Sequence, residues 1–245
     1  MVFDFGRVHK SLISHIELTK TGSNLFTVGS DSNMKQFSVI THQLMHDYGI
    51  IHNQYITSIV ISPCSNYLFT ASDDKSIKQF SVTQRKFLNT YQDVDGEEIT
   101  TLMITEDRKY FFNSGNSVHL RQWSFDDNDQ LNIVKTIDSD EKSGFGVVYT
   151  IVGTLDAKFV FTGGDDRHLR QWGFDESGFV YLYKDYGCIY KDWVKCMVIA
   201  GGGEFLYTGT DDGKIYEISL KTENVDVEFS NSFSIDGIAS IHSSF

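Results

Sequence analysis

The chain has 245 residues, 40% of them hydrophobic, enough to bury a sizeable core. One proline, 20 glycines and 14% aromatic residues suit many short strands joined by tight turns. A net charge of −12 argues against nucleic acid or an anionic membrane as a main partner, because phosphate binding needs a density of lysine and arginine. No apolar run approaches the ~20 residues of a membrane span, and residues 1–10, MVFDFGRVHK, lack a secretory hydrophobic core. Cys64, Cys188 and Cys196 form no C-x-x-C pair, and no N-x-S/T acceptor is present. Together these predict a reducing, intracellular setting: the cytoplasm, with the nucleus or an organelle-associated assembly left open.

In chain order, residues 2–5 (VFDF) fall where a final strand would precede a first repeating unit. Five units follow, at about 9–51, 52–94, 95–143, 144–189 and 190–233. The second is the clearest. An alternating run, Ile56 to Ile61, meets a turn at Pro63, Cys64, Ser65 and Asn66; a second run, Tyr67 to Ala71, ends in Asp73 and Asp74; a third runs from Ile77 to Val82. Alternation bounded by turn residues is a strand-and-hairpin signal.

The same anchors recur in every unit. Ile13 and Phe37, Ile56 and Phe80, Ile99 and Trp123, Val148 and Trp172, and Val194 and Ile218 are each 24 residues apart. Ten residues before the second anchor lie Thr27, Thr70, Asn113, Thr162 and Thr208; six before it lie Asp31, Asp74, Ser117, Asp166 and Asp212. Four units carry Lys-Gln or Arg-Gln immediately before that anchor, and the fifth carries Tyr216 and Glu217. A fourth strand is expected in each unit, at Gln43 to His46, Lys86 to Tyr91, Ile133 to Ile137, Val180 to Lys184 and Val225 to Phe229. Recurrence after 43, 43, 49 and 46 residues, with several strands per period, predicts a propeller or similar array.

SDDKSIKQF (72–80), GDDRHLRQW (164–172), and His9 and His52 four residues before their anchors resemble the WD-repeat family of β-propellers. The resemblance implies an all-β propeller of four-stranded antiparallel blades, with five complete repeats, partial strands at both ends (2–5 and 234–245), and a place in a seven-bladed ring. It also implies a hydrogen-bonded network inside each blade. His9, Thr27 and Asp31, and His52, Thr70 and Asp74, would serve the first two blades. Trp123 would serve the third, Thr162, Asp166 and Trp172 the fourth, and Thr208 and Asp212 the fifth. No unit holds the family's complete set: Phe37 and Phe80 have no ring N–H, and units three and four lack the histidine. Ile238 to Phe245 repeat the start of a unit and stop, so the chain is expected to be part of a longer protein or to be completed by another chain.

The family's loops between outer and inner strands lie on one face. Tyr55, Tyr190 and Trp193 are expected there as exposed binding aromatics, with Phe145 and Arg167 as further partner-binding candidates. Tyr55 and Trp193 could equally wedge between blades. Arg121 and Arg170 are expected on solvated blade surface.

No nucleophile elbow, phosphate loop, zinc helix motif or calcium loop occurs. Gly144-Phe145-Gly146 lacks a third glycine, and His42 with His46 lacks a companion cysteine. The repeated aspartates sit at turns, where they accept backbone N–H bonds. The sequence therefore predicts no catalytic, cofactor or metal residue. The expected function is a non-catalytic scaffold for a peptide or protein. The alternative is a structural subunit of a large assembly, with a propeller enzyme a distant third. The function expectation rests on the family resemblance.

Overall fold

A computed structural model describes residues 4–92, 96–138, 146–222, 225–230 and 235. Val2, Phe3, Phe145 and Ile238 to Phe245 lie outside the described residues. Among the described residues twenty strands form five four-stranded antiparallel sheets, each made of four consecutive strands. In the first, β1 is Ile13–Leu18, β2 Asn24–Gly29, β3 Asn33–Ser38 and β4 Leu44–Ile50. In the second, β5 is Ile56–Ile61, β6 Tyr67–Ser72, β7 Ser76–Ser81 and β8 Lys86–Gln92. The third takes β9 Ile99–Ile104, β10 Tyr110–Gly115, β11 Leu120–Phe125 and β12 Leu131–Ile137. The fourth takes β13 Val148–Gly153, β14 Val160–Gly164, β15 Leu169–Phe174 and β16 Val180–Asp185. The fifth takes β17 Val194–Ala200, β18 Phe205–Thr210, β19 Lys214–Ser219 and β20 Val225–Ser230. The only helical element among the described residues is one 3-10 turn, Gly201–Gly203. The chain divides into two compact units, Met1–Ile104 and Thr105–Phe245.

In the first unit the core lies between blades one and two. Phe26, Val28 and Met34 pack against Ile56, Ile59, Ile61, Leu68, Phe80 and Val82. In the second unit Phe161 and Leu169 of blade four pack against Val194, Met197, Ile199, Leu206 and Ile218 of blade five. Each such side chain contributes about 1.5–3 kcal/mol by leaving water. Blade four approaches its neighbour so closely that a Cβ on Gly163 would stand 2.7 Å from Val194 Cγ1. Ile235 stands against Gly209 in the same way, and its N–H donates to the Thr210 carbonyl at 3.3 Å. The repeat's packing thus resumes at Ile235, inside the partial unit expected at 234–245.

The first anchor of four blades, Ile56, Ile99, Val148 and Val194, is buried on the first strand of its sheet, whereas Ile13 is exposed. Ile16 and Leu18 are also exposed, although their counterparts 43 residues on, Ile59 and Ile61, are core residues. The first strand of blade one therefore shows water the apolar residues that blade two buries against its neighbour. Phe5 lies edge-on to Phe37 with ring centroids 5.3 Å apart, just as Tyr48 lies edge-on to Phe80 at 5.7 Å. Both pairs are 32 residues apart, so Phe5 takes a fourth-strand position without being in a strand.

The glutamine of the Lys-Gln and Arg-Gln pairs has a packing role. Gln36, Gln79 and Gln171 each accept the hydroxyl of a tyrosine at or just beyond their blade's outer strand: Tyr48 at 3.3 Å, Tyr91 at 2.6 Å and Tyr186 at 2.9 Å. Gln122 instead accepts the Val180 N–H at 2.9 Å. The basic residues before two of these glutamines correct the sequence reading: Arg121 and Arg170 are buried rather than solvated. Arg170 is held by Asp166 at 2.5 Å and Asp185 at 3.4 Å. The outer strands differ most from expectation. The fourth strand of blade one runs to Ile50 instead of stopping at His46, because Tyr48 continues onto blade two.

Candidate interaction surface

The turn aspartates hold the start of each early blade. His52 Nδ1 donates to Asp74 at 3.0 Å, and His52 Nε2 meets the Thr70 hydroxyl at 2.8 Å. In blade one His9 meets Asp31 at 2.9 Å and Thr27 at 2.8 Å. Burial alone would raise the Asp74 pKa, but hydrogen bonds from His52, Ser76 and the Asn53 N–H more than offset it and hold the carboxyl below its ordinary range. A carboxyl with a depressed folded pKa adds stability above the unfolded value of about 4, and that stability is lost as pH falls through the folded pKa. Asp74→Ala is expected to cost about 1–3 kcal/mol at pH 7, because a buried donor loses its acceptor. Urea melts from pH 7 down to pH 2 check this. The variant should lose less stability on acidification than the parent, and parallel curves would contradict the assignment.

Blades three and four use tryptophan instead. Trp123 Nε1 donates to Asn113 at 2.6 Å and Trp172 Nε1 to Thr162 at 2.9 Å. Asp166 pairs with Arg170 and accepts the His168 backbone N–H at 3.1 Å, and Asp212 accepts the Thr210 hydroxyl at 2.6 Å, so neither takes the place that Asp31 and Asp74 have beside a histidine ring. Tyr190 is the largest correction among the expected binding residues. It is buried, not exposed at a rim: its ring lies edge-on to Tyr216 at 5.0 Å, and burial pushes its hydroxyl pKa up. It stands four residues before Val194, the place of His9 and His52 before their anchors, and close to Thr208. It fills the histidine's position in blade five.

The face carrying the loops before the inner strands is built by one recurring irregularity. Register shifts by a residue after Ile13, Ile56, Val148 and Val194 alike. Such a bulge turns the extra side chain away from the regular pleat, and the extra residues are Ser14, Thr57, Tyr149 and Lys195. The residue before each anchor is tied to the end of the second strand. Its carbonyl accepts an N–H from Ser30, Asp73, Asp165 or Asp211, at 2.9 to 3.1 Å, in the four blades. This fixes Leu12, Tyr55, Val147 and Trp193 at equivalent places. The bulge was not read from the sequence; Tyr149 and Lys195 were missed for that reason.

In the second unit these places form a cluster. Trp193 is 42% exposed, and its ring centroid lies 6.0 Å from that of Tyr149. Lys195 Nζ stands 4.4 Å from the Tyr149 ring centroid and 5.8 Å from that of Trp193. Burial and then the charges of Asp165 and Asp211 push the Tyr149 hydroxyl pKa up. Burial likewise raises Asp165, whose carboxyl lies over Gly146. Arg167 is exposed at a turn position with φ +64°. In the first unit Tyr55 is exposed at the place equivalent to Trp193. Beside it, burial and then the charges of Glu98 and Asp74 raise the Asp73 pKa. Among the described residues no His, Cys, Asp and Glu group could hold a metal ion, and no helix is long and apolar enough to cross a membrane.

Residues 48–81 match the family model described as WD domain, G-beta repeat. That span holds Tyr48, His52, Thr70, Asp74 and Phe80, the residues whose packing and hydrogen bonds build blade two. The match and the five four-stranded blades together support a WD-repeat propeller family for this chain. No curated protein matches the chain.

Proposed function

We propose that the chain is a non-catalytic scaffold that binds a peptide or protein on the face carrying Trp193, Tyr149 and Lys195. WD-repeat propellers are generally protein-interaction scaffolds, and the family support extends that class to this chain. The observation that carries the reading is the exposed Trp193, held by its backbone at a fixed place while Trp123 and Trp172 are buried. A rigid, part-exposed tryptophan beside a second aromatic is the usual make-up of a binding hot spot. The charge of −12 favours a protein partner over nucleic acid or membrane. Three free cysteines, two of them exposed, suit the cytoplasm or another reducing compartment.

The exposed Ile13, Ile16 and Leu18 favour a second reading, a structural subunit of a large assembly. In it, a larger ring, seven-bladed as in the family's common form, is completed beside blade one by another chain or by further sequence. Affinity capture tests the first reading. Trp193→Ala should abolish recovery of a partner, and Ile40→Ala, at an exposed residue in the turn between β3 and β4, should leave it unchanged. Equal recovery by both variants would overturn it.

A further inference from the structure

We propose that the Trp193 cluster recognises a cationic side chain, an arginine above all, in a basic segment of the partner. This rests on the reading of that face as an interaction surface. The cluster already holds one cation. Lys195 Nζ lies within about 6 Å of both ring centroids, the range in which an aromatic quadrupole attracts an ammonium. The rings are therefore arranged as a cation platform, and the part of Trp193 open to water can take a second planar cation on its outer face.

The surrounding charge selects the same sign. The Asp211 N–H donates to the Trp193 carbonyl at 3.0 Å and the Asp165 N–H to the Val147 carbonyl at 3.0 Å, which sets both aspartates beside the cluster, and the charge of both bears on the Tyr149 hydroxyl. An incoming carboxylate would meet both aspartates, and Lys195 is already stacked on the rings. An incoming guanidinium meets negative charge and a part-exposed aromatic face. Arginine fits better than lysine because its guanidinium is planar and less strongly hydrated, so it stacks and hydrogen-bonds at once.

The chain's three tryptophans make the test direct. Trp123 and Trp172 are buried with their Nε1–H groups bonded to Asn113 and Thr162, so the Trp193 indole resonance can be followed separately. The whole chain is titrated with N-acetyl-arginine amide, its neutral isostere N-acetyl-citrulline amide, and N-acetyl-glutamate amide. The arginine compound should shift the Trp193 resonance saturably, with an effect that weakens as salt rises. Citrulline should bind about tenfold more weakly, as expected when a cation–π contact of ~1.4 kcal/mol is lost. Asp165→Asn and Asp211→Asn should each weaken the arginine response. Lys195→Gln should strengthen it, since the platform's internal competitor is gone.

Equal shifts from citrulline, a larger shift from glutamate, or loss of all binding in Lys195→Gln would overturn the proposal. Absence of any shift with arginine would overturn it too. The two readings fail separately. Partner capture that depends on Trp193 without an arginine response removes only the cation specificity. Capture that ignores Trp193→Ala removes the interaction surface itself.

Discussion

Trp172→Ala is expected to cost about 3–5 kcal/mol of stability, the range for deleting a large aromatic from a packed core. The ring is buried, and its N–H meets Thr162, which is also buried. The more informative variant is Trp172→Phe. Blades one and two carry phenylalanine at this place, and their Thr27 and Thr70 hydroxyls are met by His9 and His52 instead. The same buried threonine hydroxyl thus donates to histidine Nε2 in the first two blades and accepts the Trp172 N–H in the fourth. Blade four has Gly144 where a histidine would stand, so Trp172→Phe should leave Thr162 unmet and cost about 1–3 kcal/mol. Urea denaturation of the two variants checks both values. A phenylalanine variant as stable as the parent would show that Thr162 finds another partner.

The second large effect concerns association. The isolated chain should self-associate or aggregate through blade one. Ile16 and Leu18 are 62% and 52% exposed, while Ile59 and Ile61 at the equivalent places in blade two are each 6% exposed. Contiguous apolar surface of this kind marks an interaction site or an aggregation liability, at about 25 cal/mol per Å² buried. Ile16→Lys with Leu18→Lys should therefore move the chain toward monomer in size-exclusion chromatography with light scattering, with little change in melting temperature. Ile59→Lys should unfold the first unit, because it places an unpaired charge in the core. A monodisperse parent chain, destabilised by the Ile16 and Leu18 substitutions, would show that this strand is covered in solution.

The repeat was legible because burial on both sides of a blade fixes residue type at fixed distances. Ile56, Thr70, Asp74 and Phe80 each occupy a buried or hydrogen-bonded place, and their 24-residue frame recurs unchanged. The outer strands were less legible: they face water on one side, so residue type marks only weakly where β4 ends or β12 begins. Tyr190 carried a signal that its aromatic character obscured. Its distance from Val194 placed it in the blade network, while its ring suggested an exposed rim. Arg121 and Arg170 align with Lys35 and Lys78, but the sequence does not reveal that their guanidinium groups are taken into the blade. The bulge after four of the anchors left only a partial mark in residue type: Ser14 and Thr57 are hydroxyl residues that each donate to the next blade's anchor carbonyl, whereas Tyr149 and Lys195 share no chemistry with them. That is why Trp193 stands among the binding residues expected from the sequence and its neighbours Tyr149 and Lys195 do not.

Photocrosslinking from a benzoylphenylalanine at position 193 tests the central claim most directly. The same group at position 133, on the outer strand β12 and also exposed, serves as the comparison. With the chain in its native extract, position 193 should give a discrete crosslinked protein species that disappears when excess untagged chain competes, and position 133 should not. Crosslinks from position 133 alone, or the same products from both positions, would contradict the assignment of this face as the binding surface.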